Sequence, residues 1–437
     1  MCDEECSPAE GSMVDMTDIP DEEEPEEASE QVQVPTWLPD MPDTASAVFY
    51  SEEPLFSVRI HPTMSDVVAV GGQDDCVRIF RVEADPDTPF CLEIPDEDVP
   101  EHLQPVLRSV KDRKHVKNQK LSLLFSLQRE ESVATLAWSA CGEYLAVGRL
   151  DGSTNIIKLS AEGAAHLHDL EGPSSDVECI RWHPKGPVLL VGAASGEIWM
   201  FYAPNGSLMH TIPGHGDVVS GLAFGAGGKT VVSCSLDGSM QCFEVSTQKT
   251  QWRMRSLKEQ SRKKEFHSAP VTTLDVHEHT GALVTGAEDG SVCLTNPDGK
   301  FLSFGPPHRG LVHDVGFHRN AFCSASADGV VRVWDFGVKD IRCEFRHGSL
   351  ALDHDYEEDQ WAVVQAKWLG DLPFILSAGL DCTARLWNVA STKCSRILTG
   401  HTGPILEMSW TLLKADWVRV ATVSDDCSLR IHDVCLL

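Results

Sequence analysis

Histidine, serine and aspartate recur at set distances along this 437-residue chain, and these are the residue types from which acid–base and nucleophilic chemistry is built. His215 and Asp217 precede Ser233 and Asp237 within GHGDVVSGLAFGAGGKTVVSCSLDGSM (214–240). His308, Ser324 and Asp328 form a second set, and His401 opens the stretch GHTG. Alone, each set could supply a base, an orienting acid and a nucleophile. Their placement argues otherwise, because each falls at the same point of a recurring apolar pattern and so serves that pattern. No phosphate loop, His-Glu-x-x-His or Gly-x-Ser-x-Gly is present, and GAGGK (225–229) falls on a turn between two strand-like runs. The 15 cysteines never form Cys-x-x-Cys and read as small buried hydrophobes. A non-enzyme with no catalytic residue, metal or cofactor is therefore expected.

The positioning elements are β-strands. Eight units show an apolar run, a turn, a second apolar run, an Asp-Gly-like turn and a third run. They span 55–82, 133–159, 176–203, 214–245, 269–297, 310–336, 361–389 and 403–434. Within each unit apolar and polar residues alternate with period two. The turn residues Asp151, Ser195, Asp237, Asp289, Asp328, Asp381 and Asp426 lie 39 to 53 residues apart, a spacing close to that of propeller blades. The last unit supplies only three strands. A closed ring hides its edges, so ASAVFYS (45–51) is expected to complete the eighth blade. The predicted architecture is all-β, a propeller of eight blades over 44–437. Basic inserts lie near 83–132 and 248–266, and an acidic loop near 347–360.

Charge is unevenly placed. From Met1 to Val58 there are 17 acids and no Lys or Arg, so this stretch carries 17 of the net 30 negative charges. Such a segment repels itself and has little to bury, which predicts a disordered acidic tail over 1–43. An acidic body disfavours nucleic acid as the main ligand, because phosphates demand cations, and favours a basic protein. No run of about 18 apolar residues and no secretory signal is seen, so a monomeric cytoplasmic protein without a membrane span is expected. The basic stretches 108–120 and 253–264 suit loop solubility or nuclear import.

The units resemble WD repeats, with VRVWDF (331–336) and ARLWNV (384–389) nearest to the family ending. This resemblance implies that His215, Ser233 and Asp237 hydrogen-bond in a chain, with Phe243 in place of the usual Trp. It implies the full set for His308, Ser324, Asp328 and Trp334, and blade-fixing roles for Asp381, Trp387 and His401. On the same scheme Asp74, Glu131, Asp176, Asp217, Glu288, Glu358, Asp359 and Asp425 share the face around the channel, with Arg149 and Arg309 beside them and Trp361 as an anchor. The stretch IRWHPKGPVLLVGAASGEIWMFYAPNG (180–206) is similar to the third repeat of the angio-associated migratory cell protein family, which includes a yeast assembly chaperone. That resemblance implies capture of the basic N-terminal segment of a newly made large-subunit ribosomal protein. The alternative is a scaffold or adaptor in signalling, cell migration or ubiquitin ligation.

Overall fold

The computed structural model describes residues 42–84, 104–106, 108–109, 119–212, 214–255, 266–337, 340–347, 361–414 and 416–436. The tail expected over 1–43 therefore lies almost wholly outside the described residues. Eight four-stranded antiparallel sheets are arranged in sequence order as the blades of a propeller. Their inner strands are Leu55–Ile60, Val133–Trp138, Val177–Trp182, Gly221–Phe224, Val271–Val276, Val312–His318, Val363–Trp368 and Ile405–Lys414. No described helix is long and apolar enough to cross a membrane.

Each blade's second strand lies between two neighbouring blades, and its sequence shows it. VVAVGG (Val67–Gly72), YLAVGR (Tyr144–Arg149) and AFCSAS (Ala321–Ser326) are buried at every position, so both faces must be apolar or small. The small residues have a steric reason. A β-carbon on Gly71 would collide with Val133, and one on Gly148 with Val177, because the inner strand of the next blade packs onto that spot. The core is accordingly divided among the junctions. One apolar cluster joins blades 1 and 2, with Ala69 and Ile79 packed against Leu136 and Val147. Another joins blades 7 and 8 through Leu376 and Leu398 against Met408 and Val420.

Closure follows the expected route. Ala47–Tyr50 pairs antiparallel with the third strand of the last blade, from Ala47 opposite Ile431 to Tyr50 opposite Ser428. Thr44 ties this strand to blade 7 by donating its N–H to Thr399 O at 3.1 Å. At the channel wall, Glu407 of blade 8 accepts hydrogen bonds from Val58 N (2.8 Å) and Ser57 Oγ (2.7 Å) of blade 1 and pairs with Arg59. One finding differs from the sequence reading of the inserts. Gln119–Gln128 is the outer strand of blade 1 and Lys249–Arg255 that of blade 4, so both stretches belong partly to the sheet. Outer strands are half-exposed and patterned weakly, which is why their polar residues read as linker.

Candidate peptide-binding face

Two sets of polar residues meet at the ends of the blades where the outer strand of one leads to the inner strand of the next. One set is sealed. In blade 6, Trp334 Nε1 donates to Ser324 Oγ at 2.8 Å, Ser324 Oγ lies 2.7 Å from His308 Nε2, and His308 Nδ1 lies 3.1 Å from Asp328. The tryptophan N–H can only donate, so the protons run one way along the chain from indole to carboxylate. Serine, histidine and aspartate thus have a hydrolase-like order, yet Ser324 is fully buried and His308 nearly so, and no substrate carbonyl can reach the hydroxyl. Blade 7 repeats the chain with Trp387, Ser377, His347 and Asp381 at 2.7, 2.7 and 3.0 Å. In blade 8 His401 joins Thr422 (2.8 Å) to Asp426 (3.0 Å).

Blade 4 is a shorter version. His215 Nε2 lies 2.8 Å from Ser233 Oγ, but its Nδ1 meets Ser239 Oγ at 2.7 Å, with Asp237 farther away at 3.6 Å. Phe243 brings no N–H and stacks on His210 instead. Burial lowers His215 to about 4 despite the nearby Asp237. Burial opposes ionisation of Asp237 as well, but hydrogen bonds from Ser239 and Gly216 hold its carboxyl at about 2. Ser324→Ala would strand two partners, Trp334 and His308, whereas Ser233→Ala strands one. Denaturant unfolding should show the first costing about twice the second, each stranded group being worth roughly 1–3 kcal/mol.

Sequence reasoning missed two histidines of this set and, besides their hydroxyl partners, Thr422 of blade 8. His267 joins Thr285 (2.7 Å) and Ser291 (2.5 Å) in blade 5, and His347 opens blade 7. For His267 a signal existed: it precedes Thr285 by the same interval that separates His215 from Ser233. No preceding glycine marks it, and the interval from His347 to Ser377 is stretched by 348–360.

The second set is displayed. In every blade the residue before the turn aspartate, or its equivalent, donates its N–H to a carbonyl just ahead of the inner strand. Gln73 donates to Pro54 (2.9 Å), Leu150 to Ser132 (3.2 Å), Ala194 to Asp176 (2.9 Å) and Leu236 to Val218 (3.1 Å). Glu288 donates to Pro270 (3.0 Å), Ala327 to Leu311 (2.8 Å), Leu380 to Ala362 (2.9 Å) and Asp425 to Pro404 (3.1 Å). These bonds fix the backbone of a ring of loops. Glu131, Asp176, Asp217, Glu288 and Asp425 all sit on it, each at or next to one of the bonded residues, and all are exposed. Glu53 holds in blade 1 the position of Glu131 and Asp217, and is a further exposed member that sequence reasoning passed over. None of these six carboxylates has an ion-pair partner among the described residues. Glu178, one step along the inner strand from Val177, adds a carboxyl raised by burial and by Asp176.

Asp74 does not belong to this face. It occupies the turn position of Asp237, accepts from Ser51 Oγ (2.6 Å) and Cys76 N (3.2 Å), and pairs with Arg78. The following Asp75 takes the left-handed φ of 60° that Gly238 takes at 74°, which confirms the register. Arg149 is likewise withdrawn from the face. It is fully buried, donating through Nε to Asn155 (2.9 Å) and through Nη1 to the carbonyls of Asp75 (3.0 Å) and Glu131. Arg309 stays exposed, and its backbone N–H donates to Asp328 at 3.0 Å. Trp361 is half-buried beside Gly329 of blade 6. Glu358 and Asp359 lie outside the described residues. The exposed carboxylates therefore run through blades 8, 1, 2, 3, 4 and 5, and an arginine and a tryptophan stand in blades 6 and 7.

Comparison with known proteins gives the same architecture. The WD domain, G-beta repeat profile matches residues 165–201, 206–244, 258–296, 295–335, 353–388 and 392–433. The chain is similar to the human angio-associated migratory cell protein, 22% identical over 323 residues that cover 70% of this chain and 68% of that protein. Among solved structures it is similar to Saccharomyces cerevisiae Sqt1, with a TM-score of 0.71 and 15% identity over 90% of this chain and 100% of the other. It is also similar to Chaetomium thermophilum Sqt1 bound to the N-terminus of the ribosomal protein L10, with a TM-score of 0.71 and 16% identity over 90% and 100%.

Proposed function

Because the chain belongs to the WD domain, G-beta repeat family, whose propellers bind proteins, we propose that its ring of exposed carboxylates captures a basic, extended segment of a partner protein. The observation that carries this reading is the run of six exposed acids on backbone-bonded loops in consecutive blades, with no counter-ion for them among the described residues. A cationic peptide laid across the ring would meet an acid in each of these blades without any loop having to reorder. Single exposed pairs are worth about 0–1 kcal/mol, so affinity must be the sum of many, with Trp361 and the channel mouth anchoring apolar side chains. The likeness to a propeller bound to the N-terminus of ribosomal protein L10 supports a client of that kind. In this reading the protein escorts a newly made basic ribosomal protein and shields its charge until assembly into the large subunit.

The test is a titration of the full chain with a peptide from the N-terminus of ribosomal protein L10, repeated with Glu131, Asp176 and Asp217 all changed to lysine. Wild type should bind saturably and weaken with salt, and the triple variant should lose about 10–100-fold. Equal affinity in the two proteins would remove the client from this face. Absence of binding in wild type would leave the scaffold or adaptor reading.

A further inference from the structure

At the opposite ends of the blades, the turns between inner and second strands touch across the junctions, and at four junctions an imidazole makes the contact; between blades 6 and 7 it is His318, whose ring stacks on Trp368 with 4.5 Å between centroids, beside the Gly370 backbone. Between blades 1 and 2, His61 Nδ1 accepts the backbone N–H groups of Thr63 (3.2 Å) and Met64 (3.0 Å). Its proton is thereby left on Nε2, which lies 2.9 Å from Gly142 O. Between blades 5 and 6, His277 Nδ1 accepts from His279 and Thr280, both at 3.2 Å, and Nε2 lies 2.6 Å from Arg319 O. Between blades 3 and 4, His183 Nδ1 accepts from Lys185 N at 3.1 Å, and its ring rests on Gly228. A β-carbon on Gly142 or Gly228 would collide with the imidazole lying there.

Between blades 2 and 3 the plug is missing. Where blade 3 reads Trp182-His183, blade 2 reads Trp138-Ser139. The Ser139 hydroxyl accepts Tyr144 N at 3.0 Å within its own turn and is too short to reach blade 3. Gly186, the counterpart of Gly142 and Gly228, has only His183 Nδ1 near it, 3.7 Å from where a β-carbon would stand. A cavity of about 430 Å³ opens between the two turns, lined among others by Ser139, Cys141, Tyr144, Pro184 and Pro187.

We propose that this cavity is a second binding site, a slot for a histidine side chain of a partner protein, which fills the place that a blade's own imidazole fills at four of the other junctions. The proline and tyrosine walls offer flat apolar surface for a ring, and Gly186 holds in the turn the position from which the Gly142 carbonyl meets His61 at its own junction. The cavity exceeds a single imidazole and leaves room for the flanking backbone. It lies at the end of the blades away from the carboxylate ring, so it serves a different contact from the basic segment.

The probe is 4-methylimidazole, the histidine side chain alone, added to the full chain at mildly alkaline pH where it is neutral, with the amide signals of Tyr144, Lys185 and Gly186 followed by NMR. Saturable shifts confined to these turns are expected. Ser139→His supplies the missing ring from within, and should weaken probe binding by at least about tenfold without lowering the thermal unfolding midpoint. Gly186→Ala, which narrows the opening where nothing is displaced, should weaken it too and decides the matter if Ser139→His misfolds. No saturable shift in wild type, or equal shifts in a folded Ser139→His or in Gly186→Ala, would overturn the proposal.

Discussion

Replacing Asp381 with alanine is expected to cost the fold about 3–5 kcal/mol. Asp381 is wholly buried and holds three partners. Its carboxylate takes His347 Nδ1 at 3.0 Å, Arg385 Nη2 at 2.6 Å and Thr383 Oγ1 at 2.9 Å. Arg385 is itself 1% exposed, with its Nε on Thr383 at 3.1 Å and its guanidinium over the Trp387 ring. Burial alone would raise the Asp381 carboxyl, yet His347 and Arg385 hold it far below the usual carboxylate range. Alanine would leave a guanidinium in the interior with no counter-ion. Urea unfolding of Asp381→Ala measures the loss, and Asp381→Ala with Arg385→Leu should recover a large part of it, because the stranded charge goes too. A loss under about 1 kcal/mol would mean that water enters the site and solvates Arg385.

Stability should also fall steeply between neutral and mildly acid pH. Burial lowers His215 and His267 to about 4, against 6.5 for an exposed imidazole. As pH falls through 6.5 the unfolded chain takes up these protons before the folded one, so stability is complete above that value and is lost progressively down to about 4. From pH 7 to pH 5 the loss is about 2 kcal/mol for each of the two. His308, His347 and His401 are lowered by burial in the same way and add to it. Asp237 extends the trend: held at about 2 against 3.8, it contributes stability above 3.8 that disappears as pH falls toward 2. Denaturation midpoints measured across this range should drop, and the double variant His215→Asn, His267→Asn should flatten the curve. An unchanged slope would show that these imidazoles take up their protons at the same pH in the folded and the unfolded chain.

The blade-fixing residues are legible because they repeat. A histidine, a hydroxyl eighteen or so positions on and an aspartate after it can be found by aligning one unit with the next, and seven of the eight turns announce themselves by Asp or Ser before Gly or Cys. The carboxylate ring is legible only in part. Glu288 and Asp289, or Asp425 and Asp426, are neighbours of the same chemical type, and one position decides that the first is displayed while the second is consumed by Ser291 or His401. Where a turn lacks its glycine that one position is hard to count, and the sequence points Asp74 at the face although Asp75 carries the left-handed residue of that turn. Arg149 misleads for a similar reason, since a charged residue at a strand end reads as solvent-facing until the carbonyls that enclose it are known.

The sequence by itself determined the number of blades, their order, the strand that closes the ring and the uneven distribution of charge. These rest on local periodicity, on turn residues and on composition, all of which survive without knowledge of neighbours. The tertiary structure alone decided which acids are displayed, which imidazoles reach across a junction and which arginines are buried. Those properties depend on what lies across a junction, often hundreds of residues away, as Glu407 lies against Ser57 and Asp433 against Gln119. A side chain's partners are set by distance in space, and strand periodicity reports only the face on which each residue stands.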